Sequence, residues 1–301
     1  MRNASAPIEP LSARSVILAT VVSILWGGNL VSIRIGVDSV PPLWSAFWRM
    51  AVGVVIVTSW AMYRRVAVRP EKSERWPLFL LSVLFTAQIG LLNSGTAMTS
   101  PAFGVVILNT YGVFANVVGH FFPGMEKPMS VARTVGLVLA LVGMAVLVLG
   151  QDVSALAPKP LTGNALLICS ALLLGIRQVY TRWLVQHIEP TRKVVWQMAG
   201  SVPLFFAIAV ISEPPAYGRV TREAIAAISY QGVMIAGVCF IVWAELLKRH
   251  AAGTLSMFAF LVPITGIALS SLFFGEPIRL TLLSGASLVL SGVYVATREQ
   301  R

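Results

Sequence analysis

The hydrophobic positions of this chain gather into long runs that are almost free of charge, broken by short polar stretches. A helix rises about 1.5 Å per residue, so about 20 apolar residues cross the hydrocarbon of a bilayer. Runs of that size fall at 16–37, 43–62, 77–97, 101–122, 131–149, 162–184, 192–211, 225–247, 253–274 and 280–297. The pattern predicts an all-α integral membrane protein of ten transmembrane helices, with short connections between antiparallel neighbours. Residues 1–15 are polar and contain Pro7 and Pro10, which reads as an N-terminal tail. The apolar run after them is too long for a signal-peptide core, so no cleaved signal is expected.

Two runs are irregular at their centres. In 101–122, Asn109, Thr110, Tyr111 and Gly112 lie near the midpoint, with Asn116 beyond them. In 253–274 the midpoint is Pro263, which frees backbone carbonyls at mid-membrane depth. Lipid penalises such groups, so their faces are expected to point at other helices or a wet cavity.

The halves also repeat. A shift of 148 lays Trp48-Arg49-Met50-Ala51 on Trp196-Gln197-Met198-Ala199, Arg34 on Arg182 and Pro42 on Pro190. Shifts of 149 and 151 lay Gly136 and Gly143 on Gly285 and Gly292, and Gly124 on Gly275. Five spans per half is an odd number, so the repeats, 16–149 and 162–297, are expected to insert upside down relative to each other. That arrangement places a substrate site near the midplane, where two broken helices meet.

Composition agrees, with 56% hydrophobic and 12% charged residues and a mean hydropathy of +0.80. The net charge of +11 could suggest nucleic acid, but its distribution argues against that partner. Of 23 Lys and Arg, 16 fall on the N-terminal side of the spans, 4 on the other side and 3 (Arg34, Arg49, Arg177) within spans. This bias predicts a multi-pass protein of the inner (plasma) membrane with both termini cytoplasmic. The basic run 64–75 fits the same anchoring, with contact to anionic lipid as the other reading. Cys169 and Cys239 lie in apolar spans and read as buried thiols rather than a disulfide.

Several motifs together resemble the drug/metabolite transporter superfamily, specifically its EamA-type ten-helix exporters. SILWGGNLVSIRIG is similar to the family's Trp-Gly stretch with a basic residue further on (Trp26, Gly27, Arg34), and AFWRMAVG to its second-helix Arg motif (Arg49). FLVPITGIALSSLFFGEPI resembles the late Pro-to-Gly-Glu motif, here Pro263, Gly275 and Glu276. Glycines seven apart in the fifth and tenth spans complete a likeness covering 16–297. The chain departs from the pattern at Gly112, where proline is common, at Leu174, where Trp is expected, and in the stretched Gly124-Met125-Glu126. Tyr111-Gly112 resembles an aromatic-then-Pro step of the aromatic amino-acid exporters, and so implies amino-acid substrates, aromatic and other apolar ones.

Span midpoints independently place Trp26, Gln88, Tyr111 with Gly112, and Pro263 at one depth, where they could line a cavity. Each has a plain structural alternative: packing for Trp26, interhelical hydrogen bonding for Gln88 and Asn109, a kink for Pro263. Asn29 and Phe260 lie about one turn from Trp26 and Pro263 and join the candidate lining. Arg177, with Gln178 and Tyr180 beside it, is the charge most in need of an account. It either faces the aqueous route and attracts a substrate carboxylate, or snorkels to lipid phosphate. Arg34 is expected to pair with Asp38, and Glu245 with Arg249. Arg49 reads as a clamp on helix-terminal carbonyls or as part of the outer vestibule. His120 is more simply a packing residue than a proton relay.

No Asp or Glu lies mid-span, so coupling to protons through a buried carboxylate is not expected. The leading expectation is export of small metabolites, chiefly amino acids, by alternating access around a midplane cavity. A channel or structural subunit, and a drug exporter, are the alternatives. An intramembrane enzyme would need a catalytic cluster that the spans lack. The expected partners are a small-molecule substrate and the lipid bilayer, with no cofactor or metal, and the protein is expected to be a monomer.

Overall fold

The computed structural model describes residues 12–120, 131–185, 187–214, 220–250 and 255–298. Among them the chain is helical, without strands. The helices in order are α1 (Ala13–Gly27), α2 (Asn29–Val37), α3 (Pro42–Tyr63), α4 (Arg75–Met98), α5 (Pro101–Asn109), α6 (Tyr111–His120) and α7 (Val131–Leu149). Then come α8 (Pro160–Leu184), α9 (Pro190–Ser212), α10 (Arg222–Tyr230), a π-helical segment (Gln231–Cys239) and α11 (Phe240–Arg249). A 3₁₀ turn (Ser256–Phe260) leads into α12 (Leu261–Phe274), and α13 (Leu280–Arg298) closes the chain. Seven helical stretches are long and apolar enough to cross a membrane, and three shorter apolar ones run Thr134–Leu149, Phe258–Phe274 and Leu280–Val295. These stretches coincide in place with the runs read from the sequence.

Starts are set by local chemistry. Proline at the first helical position opens α3, α5, α8 and α9, where its missing N–H costs nothing. Ser12, Ser100, Glu189 and Thr221 cap starts with side-chain oxygens. Helix α12 ends on Gly275, whose φ of +64° is the left-handed conformation that glycine adopts without strain.

Three spans are not continuous α-helices. The first turns at Gly28, whose N–H is shared between the Ile24 and Leu25 carbonyls at 3.3 and 3.1 Å. The Tyr230 hydroxyl donates to Leu25 O at 2.7 Å and so steadies that turn. The fourth is interrupted at Thr110, whose hydroxyl donates to Ile107 O at 2.6 Å. In the ninth, the expected mid-span break at Pro263 is a change of helix type. Proline falls in the first turn of α12, after the 3₁₀ turn, where a helix lacks N–H partners anyway. Thr265 Oγ1 donates to the Leu261 and Val262 carbonyls beside it.

Packing is closest where glycines face each other. A Cβ on Gly292 would lie 2.5 Å from Gly136 O, and one on Gly143 would lie 2.8 Å from Gly285 O, so α7 and α13 meet backbone to backbone. Helix α1 crosses α12 in the same manner, with Gly27 against Thr265 and Gly266 against Gly27 O and Val105. Elsewhere α3 packs on α9 and on the π segment, and α4 packs on α8 and α9. Helices α5 and α6 pack on α8, and α12 lies on α5.

Arg34 pairs with Asp38 at 3.1 Å, as the spacing predicts. At the end rich in Lys and Arg, Arg192 pairs with Glu74 at 2.8 Å, and His250 meets Ser15 Oγ at 2.8 Å. At the opposite end, Ser100 and Ser270 both donate to the Glu276 carboxylate, joining the start of α5 to the end of α12. Cys239 is buried as expected, but Cys169 is exposed on the surface of α8, which corrects its reading as an interior thiol. The expected Glu245–Arg249 pair, His120 and Asn116 involve side chains outside the described set.

The seam between α7 and α13 should be the least tolerant of side-chain volume. Gly143→Leu drives four heavy atoms into backbone and should lower the Tm of the purified protein by several degrees, since overpacking costs about 1–3 kcal/mol. Gly90→Ala, whose Cβ meets only Leu43 Cδ2 at 3.5 Å and Phe205 Cε1 at 3.8 Å, should leave Tm nearly unchanged. Equal melting curves for the two variants would contradict this account of the seam.

Candidate functional site

A row of aromatic rings crosses the bundle interior and ends on a cation. Trp26, at the end of α1, meets Trp243 edge-on at 5.0 Å and Phe240 at 6.3 Å, both from α11. Phe240 in turn meets Phe85 of α4 at 6.5 Å. The Arg177 guanidinium, from α8, lies 4.9 Å above the Phe85 ring. Tyr111 of α6 and Lys193 of α9 are both within electrostatic reach of Arg177. Six spans therefore meet at this row, each supplying an aromatic ring or a basic group.

The row corrects the snorkelling alternative for Arg177. Its side chain is 7% exposed and lies over a ring that is itself fully buried, so it points into the protein and not toward lipid phosphate. A desolvated cation–π contact is worth about 2 kcal/mol, while a buried unpaired cation costs several. Arg177 Nε has no hydrogen-bond partner, and among the described residues no carboxylate pairs with Arg177 or Lys193. The two like charges also repel each other, so the protein holds this arrangement at a cost.

Lys193 reads from the sequence as an anchor at the basic end, but the structure buries it to 7% exposure. Its neighbour Arg192 does serve as an anchor, donating to Glu74 and to Ala67 O. One turn beyond Lys193, Gln197 is fully buried with both amide atoms unpartnered. Lys193, Gln197 and Ser201 are spaced four apart on a buried face of α9, while Phe206 is half-exposed. That polar stripe was the available sequence signal for Lys193 and Gln197. For Phe85 no signal separates it from ordinary core.

The remaining predicted residues are spread more widely. Gln88 donates from Nε2 to Ser170 Oγ at 3.0 Å, and Ser170 Oγ donates back to Gln88 O at 2.9 Å, tying α4 to α8. Asn109 Nδ2 donates to its own helix at Val105 O, 2.8 Å away. Asn29 is buried with Oδ1 unpartnered. Tyr180 donates to Pro77 O at 3.1 Å and stacks on Trp183. Phe260 meets Tyr294 of α13 at 6.2 Å, and a Cβ on Gly112 would lie 3.4 Å from Val293, so these two flank α13. Pro263 is buried. Trp26, Tyr111 and Arg177 are thus brought to one row, while Gln88 is engaged with Ser170.

Chemically, the row offers flat apolar faces at one end and, at the other, two buried basic groups that no carboxylate pairs with among the described residues. A molecule with an apolar or aromatic body and one carboxylate satisfies both. Separately, at the end away from the basic loops, a cleft of about 320 Å³ is lined by Gln151, Asp152, Glu276 and Arg279, among others. Asp152 and Arg279 form an ion pair there.

Comparison with known proteins places this geometry in context. The model of the EamA-like transporter family matches the chain twice, over residues 13–149 and 161–298. "Uncharacterized transporter YoaV" of Bacillus subtilis (strain 168) is 24% identical over 277 residues, 92% of this chain and 94% of that protein. "Probable amino-acid metabolite efflux pump" of Escherichia coli (strain K12) is 24% identical over 300 residues, 95% of each chain. A solved crystal structure has the same fold, with a TM-score of 0.70 at 18% identity over 96% of this chain and 97% of that one.

The Gln88–Ser170 pair gives a direct check on the site's scaffold. Ser170→Ala leaves a buried amide unpaired and should destabilise the protein by about 1–3 kcal/mol. Adding Gln88→Leu should restore part of that loss, giving a coupling of about 1 kcal/mol in a double-mutant cycle read from unfolding midpoints. Additive losses would show that the two side chains act independently.

Proposed function

The chain belongs to the EamA-like transporter family, and from that premise we propose that it exports small carboxylate-bearing metabolites, chiefly amino acids with aromatic or apolar side chains. The observation that carries this reading is the pair of buried basic groups, Arg177 and Lys193, with no carboxylate partner among the described residues and an aromatic row beside them. A transporter that held its own counter-ion there would gain stability and lose its substrate. The name of the Escherichia coli relative, a probable amino-acid metabolite efflux pump, supports the amino-acid class.

The proposed mechanism is alternating access between two five-helix halves of opposite orientation. Two features support it: the family model matches the chain once per half, and the helix pairings exchange consistently. The packing of α4 on α8 has its counterpart in α10 and α11 against α2 and α1, and that of α6 on α8 in α12 against α1. The close crossing of α1 on α12 at Gly27 and Gly266 lies between the halves and allows one to rock on the other. The basic end is proposed as cytoplasmic by its Lys and Arg excess, which sets both termini inside. With no mid-span Asp or Glu, flux is proposed to follow the substrate gradient as carried out by a monomer.

In proteoliposomes, Arg177→Gln and Lys193→Gln should each slow concentration-driven flux of L-phenylalanine by about tenfold or more, equivalent to about 1.4 kcal/mol. L-Phenylalaninamide, which lacks the carboxylate, should be slowed much less. Trp26→Ala and Tyr111→Ala should slow both probes at unchanged protein abundance. Collapsing a proton gradient with an ionophore should leave the flux unchanged. Equal sensitivity of acid and amide to Arg177→Gln would remove the carboxylate from this reading.

A further inference from the structure

A second arginine is buried in the other half of the bundle, and the mechanism above does not use it. Arg49 lies about two turns into α3, counted from the end opposite the basic loops. It is 1% exposed, and its Nε and Nη1 have no partner. The clamp on helix-terminal carbonyls expected from the sequence is therefore not what it does. Nor does a carboxylate answer it among the described residues. Glu213, which caps the start of α3, already accepts from the Leu43 and Trp44 N–H groups.

The polar groups around it are in the same condition. Ser45, one turn toward the start of α3 on the same face, is fully buried with its hydroxyl unpartnered. Gln231, the first residue of the π segment, is fully buried with both amide atoms unpartnered. A Cβ built on Gly36 would lie 3.3 Å from Ser45 Oγ and 3.6 Å from Gln231 Nε2, so both groups pack close against α2 at the same point. A Cβ on Gly232 would lie 3.1 Å from Arg49 O, which sets the π segment directly against that residue. Helical side chains lean toward the helix start, which carries the Arg49 guanidinium toward Ser45.

Two spans thus carry a guanidinium and a hydroxyl (α3) and an amide (the π segment) whose hydrogen-bonding capacity is unmet, packed beside α2. Such groups destabilise an interior, and a ligand that hydrogen-bonds to them offsets that cost. The π turn beside them belongs to a helix type that recurs at functional sites. We propose that Arg49, with Ser45 and Gln231, is a second carboxylate-binding station on the exit half of the route, receiving the substrate after it leaves Arg177 and Lys193. The inference rests on the substrate class proposed above.

The test uses the full chain in proteoliposomes of defined orientation, with L-phenylalanine and L-phenylalaninamide presented from either face, and Tm measured on the empty protein. Arg49→Met should raise KM for L-phenylalanine from the exit face by about tenfold or more, with a shift below about threefold from the basic face. The amide should be indifferent, Arg49→Lys should recover part of the loss, and Arg177→Gln should show the opposite sidedness. Tm of empty Arg49→Met should be no lower than wild type, because no bond within the protein is lost. A large drop in Tm with equal loss of acid and amide transport, or equal KM shifts at both faces, would overturn the proposal. A wild type that carries neither probe would sink the substrate class instead; the melting temperature then still decides whether Arg49 waits for an anion or supports the fold.

Discussion

Hydrocarbon offers no hydrogen bonds, and the irregular points of this chain are arranged around that fact. Where the first span turns at Gly28, Tyr230 reaches across to the Leu25 carbonyl. Where the fourth turns at Thr110, the threonine hydroxyl returns to Ile107 O, and beside Pro263 the Thr265 hydroxyl bonds two carbonyls. The backbone is thereby satisfied locally. Unmet buried groups among the described residues are carried by side chains, Arg49, Arg177, Gln197 and Gln231 among them, and these lie in the interior. The contrast separates groups completed by the fold from groups left for a visitor.

The architecture was largely legible from the pattern of apolar runs, because span length and loop charge follow from bilayer thickness and insertion, which need no tertiary detail. The seam of glycines seven apart was legible for the same reason: small residues at fixed spacing have one common use between membrane helices. The site was legible only in part. Trp26, Tyr111 and Arg177 stand out by chemistry, and the fold brings them to one row. Lys193 was read as an anchor because sequence shows its distance from a span end but not the direction it faces. Gln88 was read either as lining or as an interhelical hydrogen-bonding group, and its bond to Ser170 on the neighbouring helix is the second of these.

The aromatic row gives the buried Arg177 guanidinium a partner within the protein. The electron-rich face of Phe85 attracts it and offsets part of its desolvation cost. Under the proposed function, a carboxylate reaching Arg177 would meet a guanidinium already stripped of water, its desolvation cost met during folding and not at binding.

The backbone-to-backbone contact of α7 with α13 has a mechanical corollary. Surfaces so close that glycine hydrogens fill the space between them have no room to slip by a helical turn, since the next residues along would collide with carbonyls. This pair therefore acts as a fixed seam between the first half and the second, held in one register along its length. The turns at Gly28 and Thr110 and the π segment lie in other spans, where the polypeptide departs from the regular helix.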